Sequence, residues 1–364
     1  MSIVPTQYAR LLDELIARGI AFACYFLPFN AKPTLIVENN EPAELLSYGD
    51  LDGENGFVFA PFTISNEKPL LLFRSKNIYS GFVDDISMPI SGVAVNGNNS
   101  AYSTTQELYN STFRCFMDLL KSGRFAKLVL SRKLVIDRHI KSIGKVFLNA
   151  NKAYPSAFTY LVNAPKSGLW LGATPELLLK GDGDSFQTVA LAGTMPVSGD
   201  STDYSWSEKD CEEQQLVADY ISDRLALCGV ANVEKNGPIT IKAGNIVHLK
   251  TTFKFATDGN IGVGRLVDTL HPTPAVCGLP KEEARQYIIE TEQHNREYYT
   301  GFAGIVSSNK ETELYVNLRC MKVEAQQLSL FAGGGITAKS EGEREWKETN
   351  HKLRTLQSII EADY

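Results

Sequence analysis

Residues 157–194 read AFTYLVNAPKSGLWLGATPELLLKGDGDSFQTVALAGT. Four apolar runs (AFTYLVNA, GLWLGAT, ELLLKG and FQTVALAGT) are separated only by short Gly-, Pro- and Asp-containing turns. Parallel strands need a long crossover, so runs this close must form successive strands joined by turns, in hairpin-like pairs. Downstream, Ser207–Cys228 reads as an amphipathic helix, IVHLKTTFKFA as a strand, Lys281–Gln293 as a helix and Ala303–Ile336 as a β-meander. A final helix covers Glu343–Ile360. Upstream, KLVLSRKLVI is a strand and FLNANKAYP a short helix. The first hundred residues place a helix over Thr6–Ala17 and then four short strand-like runs, AFACYFLPF, PTLIVE, GFVFAPF and PLLLF. A polar Gly/Asn-rich loop over Val95–Thr104 precedes a helix over Thr105–Ser122 that ends at Gly123. The pattern predicts an α+β fold with largely antiparallel sheets, not a doubly wound one. There is no short internal repeat and no linker, so residues 1–364 are expected to form a single domain.

Composition narrows the function. The chain is 43% hydrophobic and 21% charged, which is ordinary for a soluble protein. A net charge of −6 without a basic block argues against nucleic acid as a partner. No apolar run reaches the length of a membrane span, and the first residues lack the pattern of a secretion signal. Six scattered cysteines without a CxxC pair point to reduced thiols and a cytoplasmic setting. Five histidines with no HxH or HExxH pattern argue against zinc.

Several short stretches carry chemistry. In FAGGGITAKSEGEREWKETNHKL (331–353), three glycines precede a helix on which Glu345, Glu348 and Lys352 share a face. Glycine lets a backbone approach an anionic ligand closely, and paired carboxylates suit a hard divalent cation. A charged surface helix after a Gly-rich turn is the plainer reading. In KLVLSR, Lys127, Val129 and Ser131 face one side of a strand while Leu128, Leu130 and Arg132 face the other. A desolvated Lys127 would serve as a general base; a strand-end lysine reaching water is the alternative. Glu176 follows a turn proline between apolar strands, where a raised pKa would make it an acid. SEKDCEEQQLV starts a helix with Asp210 and Glu213 one turn apart, either a solvated acidic turn or part of a site if Glu213 faces Glu348. HPTPAVCGLP offers small residues, Ala275 and Gly278, to a cavity wall, and YVNLRC places Arg319 in a strand as a carboxylate partner or a structural salt bridge.

Taken in order, KLVLSR, GATPELLL, LAGT, EKDCEEQQLV, IVHL, HPTPAVCGLP, REYYTGFAGIV, LRC and FAGGGI…EREWKET…KL resemble the chorismate-utilising enzyme family. The likeness runs over about 120–358, with 1–110 as the variable N-terminal part. It implies two large, mostly antiparallel sheets packed face to face with helices outside. It also implies chorismate as substrate and Mg²⁺ as cofactor. By position, Lys127 matches the lysine that activates water at ring carbon 2, and Glu176 the acid that protonates the hydroxyl leaving carbon 4. Glu213 and Glu348, with Glu345 close by, match the metal carboxylates. Arg319, Gly333, Lys352 and Tyr299 match the grip on the enolpyruvyl carboxylate. Gly193, Thr194, His248 and Ala275 match the ring pocket.

Within the family the chain is most similar to isochorismate synthases. Lys127 stands where ammonia-using members carry glutamine, so no glutamine amidotransferase subunit is expected. Ala192 stands where the aminodeoxychorismate type carries lysine, and PTPAVCG is similar to menaquinone-type members. Salicylate formation, a siderophore-pathway role, an amidotransferase-partnered subunit and a non-catalytic chorismate binder are the alternatives. One departure is Gln214, where the family often shows histidine after the acidic residue.

Overall fold

The hairpin expected from AFTYLVNA and GLWLGAT forms as strands Phe158–Ala164 and Gly168–Thr174, but the chain changes sheet directly after it. Pro175 and Glu176 carry it across, and Leu177–Asp182 then belongs to a second sheet. The predicted meander over Ala303–Ile336 is corrected in the same way. Its first hairpin, Phe302–Val306 with Glu311–Val316, lies in the second sheet, and its second, Cys320–Val323 with Gln327–Ile336, lies in the first. Alternation of apolar residues marks strands but does not say which sheet receives them, and the two crossings escape a sequence reading for that reason.

The computed structural model describes residues 3–74, 76–83, 86, 102–197, 204–243, 246–257, 259–308 and 311–362. The loop expected over Val95–Thr104 lies outside the described residues up to 101. Two nine-stranded sheets are present, and every strand pairing in them is antiparallel. The first runs from Gly278–Leu279 through Lys127–Asp137, Gln327–Ile336, Cys320–Val323, Gly168–Thr174, Phe158–Ala164, Phe22–Phe26 and Thr34–Val37 to Ile78–Ser80. The second runs from Val233–Ala243 through Ile246–Ala256, Ser185–Pro196, Leu177–Asp182, Glu311–Val316, Phe302–Val306, Gly56–Ala60 and Leu70–Phe73 to Ala43–Leu45. The N-terminal strands are shared between both sheets.

Aromatic side chains fill the space between the sheets. Phe57, Phe59 and Phe73 from the second meet Tyr25, Phe158, Tyr160 and Trp170 from the first in one buried cluster. The Phe59 ring lies 5.5 Å from that of Tyr160, and Phe158 stacks on Tyr315 at 4.5 Å. Such pairs add to the large apolar area that each ring removes from water. The helices are α1 (Ile3–Ala17), α2 (Gln106–Lys121), α3 (Ile143–Ala153), α4 (Glu208–Leu227), α5 (Val263–Leu270), α6 (Lys281–Thr291) and α7 (Gly342–Glu361). Thr105 caps α2 and Ser207 caps α4 through their hydroxyls, as the sequence signals suggest. Residues of α1, α3 and α7 bury apolar faces with the outer side of the first sheet, and those of α4 and α5 with the second.

Strands Ala43–Leu45, Ile78–Ser80 and Gly278–Leu279, together with helix α5 and strand Val233–Ala243, are not evident from sequence. Helix α5 is only eight residues long, and strand Val233–Ala243 contains Gly237 and Pro238, which read as turn. That strand is the outer edge of its sheet, where a missing N–H is tolerated, and its register shifts between Asn236 and Ile239.

A buried ion pair ties the first sheet to the segment after α6. Glu292 accepts from the Arg296 guanidinium and from the Ser131 N–H, while Arg296 also donates to the carbonyls of Val129 and Val276. Both side chains are 2% exposed. Glu292→Gln leaves the guanidinium buried without its counter-charge, so we expect a loss of about 3–5 kcal/mol. Urea unfolding followed by circular dichroism measures it.

Candidate active site

The two sheet crossings run side by side. The Thr174 hydroxyl donates to the Val316 carbonyl at 2.6 Å, the Val316 N–H to the Glu176 carbonyl at 2.9 Å, and the Ala173 N–H to the Arg319 carbonyl at 3.1 Å. Glu176 and Arg319, one from each crossing, therefore face the same cavity between the sheets. Arg319 is not within a strand, as expected from YVNLRC. It is the last residue of the link, with φ of +47°, immediately before Cys320–Val323. This left-handed turn is a costly conformation for a side-chain-bearing residue and is sustained by the surrounding ladder.

The cavity is small, about 60 Å³, and is lined by Glu176, Gly193, Thr194, Glu213, His248, Ala275, Tyr299, Arg319, Gly333, Glu348 and Lys352 among others. All eight residues matched to substrate binding thus lie on one wall or another. Lys127 and Glu345 stand one layer back. The Lys127 side chain is 0% exposed, and its ammonium is 2.9 Å from Glu213 Oε1. It points inward and is held as an ion pair. Val129 shares its strand face and lines the cavity, whereas Arg132 on the other face donates to Thr349 and Asn350 and lies 3.9 Å over the Trp346 ring of α7.

The three glycines have a purpose the sequence reading assigned differently. A Cβ on Gly335 would stand 2.3 Å from Glu213 Oε1 and 2.7 Å from Lys127 Cε. One on Gly334 would stand 3.3 Å from Glu345 Oε2 and 3.8 Å from Glu348 Oε1, and one on Gly333 3.0 Å from the Tyr299 hydroxyl. Here the bare strand admits the protein's own charged side chains. The Gly333 carbonyl in turn accepts from the Lys352 ammonium at 2.8 Å.

A bulge shapes the opposite wall. The register between Ser185–Pro196 and Ile246–Ala256 shifts between Ala192 and Met195, and Gly193 there has φ of +68°. Its freed carbonyl accepts a hydrogen bond from His248 Nδ1 at 2.7 Å. Burial, with the Arg319 charge adding to it, pushes the imidazole down to about 3, so His248 is neutral with its proton on Nδ1. Nε2 is then a buried acceptor with no partner among the described residues.

Electrostatics separate the carboxyls. Burial raises Glu176 to about 7, although Arg319, Lys127 and Lys352 pull it down. Burial also raises Glu345, and the neighbouring Glu348 adds to this while Lys209 opposes it. Burial acts on Glu348 in the same sense, but Lys352, 2.6 Å away, together with Lys209 and Arg319 holds Glu348 low. Burial lowers Arg319, whose guanidinium has no ion-pair partner among the described residues.

Glu213, Glu348 and Glu345 offer only oxygen donors, which suits a hard divalent cation, and Glu345 Oε2 is buried without a partner. Among the described residues no three His, Cys, Asp or Glu side chains stand at metal-holding spacing. Each carboxylate is instead turned onto its own lysine: Glu213 onto Lys127, Glu348 onto Lys352, and Glu345 onto Lys209 at 2.6 Å. Lys209 was missed in the sequence, although it precedes Glu213 by four residues on the same helical face. Gln214 points elsewhere, donating to the Ala190 carbonyl and the Thr251 hydroxyl, so the departure from histidine leaves the carboxylates untouched. The six cysteines are free, four of them buried, and no helix among the described residues is long and apolar enough to cross a membrane.

Comparison with known proteins adds a second, independent line. The family described as chorismate binding enzyme matches residues 91–361. The chain belongs to this family. Isochorismate synthase EntC of Escherichia coli is 33% identical over 242 residues, covering 64% of this chain and 62% of that protein. Isochorismate synthase DhbC of Bacillus subtilis is 30% identical over 262 residues, covering 67% and 65%. The matched part therefore spans less than two thirds of the length of these relatives. Among solved structures, MenF, the menaquinone-specific isochorismate synthase of Escherichia coli, superposes with a TM-score of 0.77 over 94% of this chain and 89% of that one, at 18% identity. The arrangement of two antiparallel sheets and outer helices is the fold of this group.

Because Glu176 has a higher pKa folded than unfolded, its contribution to stability is complete below about pH 4.5 and is lost as pH rises through about 7. Glu176→Gln removes this dependence. Between pH 5 and 8 the wild type should lose about 3 kcal/mol relative to the variant, read from paired urea unfolding curves.

Proposed function

We propose that the chain is an isochorismate synthase that converts chorismate and water into isochorismate. The observation that carries the reading is Glu176, a buried carboxyl raised to about 7, in one cavity with Glu213 and Arg319 and close to the buried Lys127. The names of the relatives support the same reaction class.

Water adds at ring carbon 2 while both ring double bonds shift and the hydroxyl at carbon 4 departs. Lys127, once its ammonium has given up a proton and left its ion pair with Glu213, accepts the proton of the incoming water, and Glu176 delivers one to the leaving hydroxyl, so atoms and charge balance. A carboxyl that is half protonated near neutral pH is suited to donating. Arg319 and Lys352 take the enolpyruvyl carboxylate, with Tyr299 beside it. Gly193, Thr194, His248 and Ala275 bound the ring, and the neutral His248 presents an acceptor to a ring hydroxyl. Glu213 and Glu348, with Glu345, would hold Mg²⁺, which when bound supplies positive charge against the ring carboxylate and fixes its position. The absence of an amidotransferase partner and a cytoplasmic location belong to the same reading, as does one domain over 1–364.

The finer assignment, a menaquinone-directed enzyme, rests on the PTPAVCG string. Relatives named MenF and a vibriobactin-specific isochorismate synthase match this chain at 29% and 28% identity, so both pathway types are represented. Loss of menaquinone in a strain lacking the chain favours the first; loss of a catechol siderophore favours the second.

Incubation of the purified protein with chorismate and Mg²⁺, followed by chromatography, should yield isochorismate. Salicylate and pyruvate as main products would replace the reading with a salicylate synthase, and product only with ammonium would restore an amidotransferase-type subunit. Lys127→Gln and Glu176→Gln should each lower turnover by at least a hundredfold with chorismate still bound, as removal of a general base or acid does. Wild-type turnover should fall as pH rises past about 7, when Glu176 loses its proton.

A further inference from the structure

The proposed mechanism gives roles to two of the three lysines around the carboxylates. Lys209 has none. It lies in the first turn of α4, where a helix end already favours negative charge, and so is out of place as a cap. Its side chain is 11% exposed, and its ammonium reaches 2.6 Å from Glu345 Oε1, on a residue that is 1% exposed. The other Glu345 oxygen is buried and unpartnered, facing the gap over Gly334 that Glu348 also borders.

Charge counting gives this contact a consequence. Lys127, Lys209, Lys352 and Arg319 confront Glu213, Glu345 and Glu348, a surplus of one positive charge with Glu176 protonated. A divalent cation entering alone would raise the surplus to three in a largely buried site. Arriving with a dicarboxylate, it would restore the surplus to one. Ion–ion energies are large at these separations and weakly screened where water is excluded.

We propose that Lys209 is a built-in counter-ion that occupies the carboxylate cluster in place of the metal, so that Mg²⁺ binds weakly until a dicarboxylate substrate enters with it. This rests on the metal reading above and adds a residue that sets when the metal binds. Lys209 is a positioning residue: it acts through Glu345, and its ion pair must open before Glu345 can turn to a cation.

The test is Mg²⁺ alone, without substrate, titrated by calorimetry into the full-length chain, with Mn²⁺ paramagnetic resonance as a second readout. Lys209→Met keeps the length of the side chain and removes its charge; it should bind Mg²⁺ at least tenfold more tightly than the wild type. Its metal-free melting temperature should fall, and Mg²⁺ should raise it more than in the wild type. Lys209→Arg keeps the charge and should stay within about threefold of the wild type, which separates electrostatics from packing. Should Lys209→Met be too unstable to titrate, Lys209→Gln takes its place with the same expected gain. Metal binding by the wild type with no gain in the neutral variants overturns this inference and leaves the metal site standing. No metal binding by any variant, with or without chorismate, overturns both.

Discussion

Burying charge is costly, and this protein buries a great deal of it in one place. Its ionised side chains between the sheets meet an opposite charge or a hydrogen-bonding cage, Arg319 being the exception among the described residues. Lys127 with Glu213, Lys352 with Glu348 and Lys209 with Glu345 are the result, and Glu292 with Arg296 repeats the pattern behind the strand that carries Lys127. The strand Gln327–Ile336 lacks side chains at Gly334 and Gly335, where members of those pairs stand, and at Gly333, where the Tyr299 hydroxyl stands. Glu176 avoids the cost differently: near neutral pH it keeps a proton instead of a partner.

The backbone serves this arrangement through two crossings and one bulge. Where a strand leaves one sheet for the other, its backbone stops following a ladder and can aim a side chain into the gap. Glu176 and Arg319 occupy such links, and the links are bonded to each other. Gly193 achieves the same within a strand by stepping out of register. Site residues thus come from irregular points held rigid by the regular structure around them.

Much of this was legible beforehand. The helices over Ser207–Cys228 and Glu343–Ile360 emerge within a residue of their predicted ends because caps and amphipathic spacing are local signals. The antiparallel class followed from turns too short for crossovers. The residues of the cavity wall were found through a resemblance that spans many motifs, not through any one of them. What stayed hidden is long-range: that Thr174 and Leu177 lie in different sheets, that Arg319 closes a link, and that Lys209 turns to Glu345 on a distant helix. Helix α5 and the strand Val233–Ala243 were passed over because one is short and the other holds a Gly-Pro pair.

That Gly-Pro pair matters beyond the single molecule. The strand bearing it exposes the free margin of the second sheet along eleven residues, a length able to template the addition of another chain. Pro238 deletes one donor from that margin, the shifted register around it bends the row, and Lys235 and Lys242 place charge on either side. The other three margins, Ala43–Leu45, Ile78–Ser80 and Gly278–Leu279, are only two or three residues long, so this long one is where sideways growth has to be discouraged.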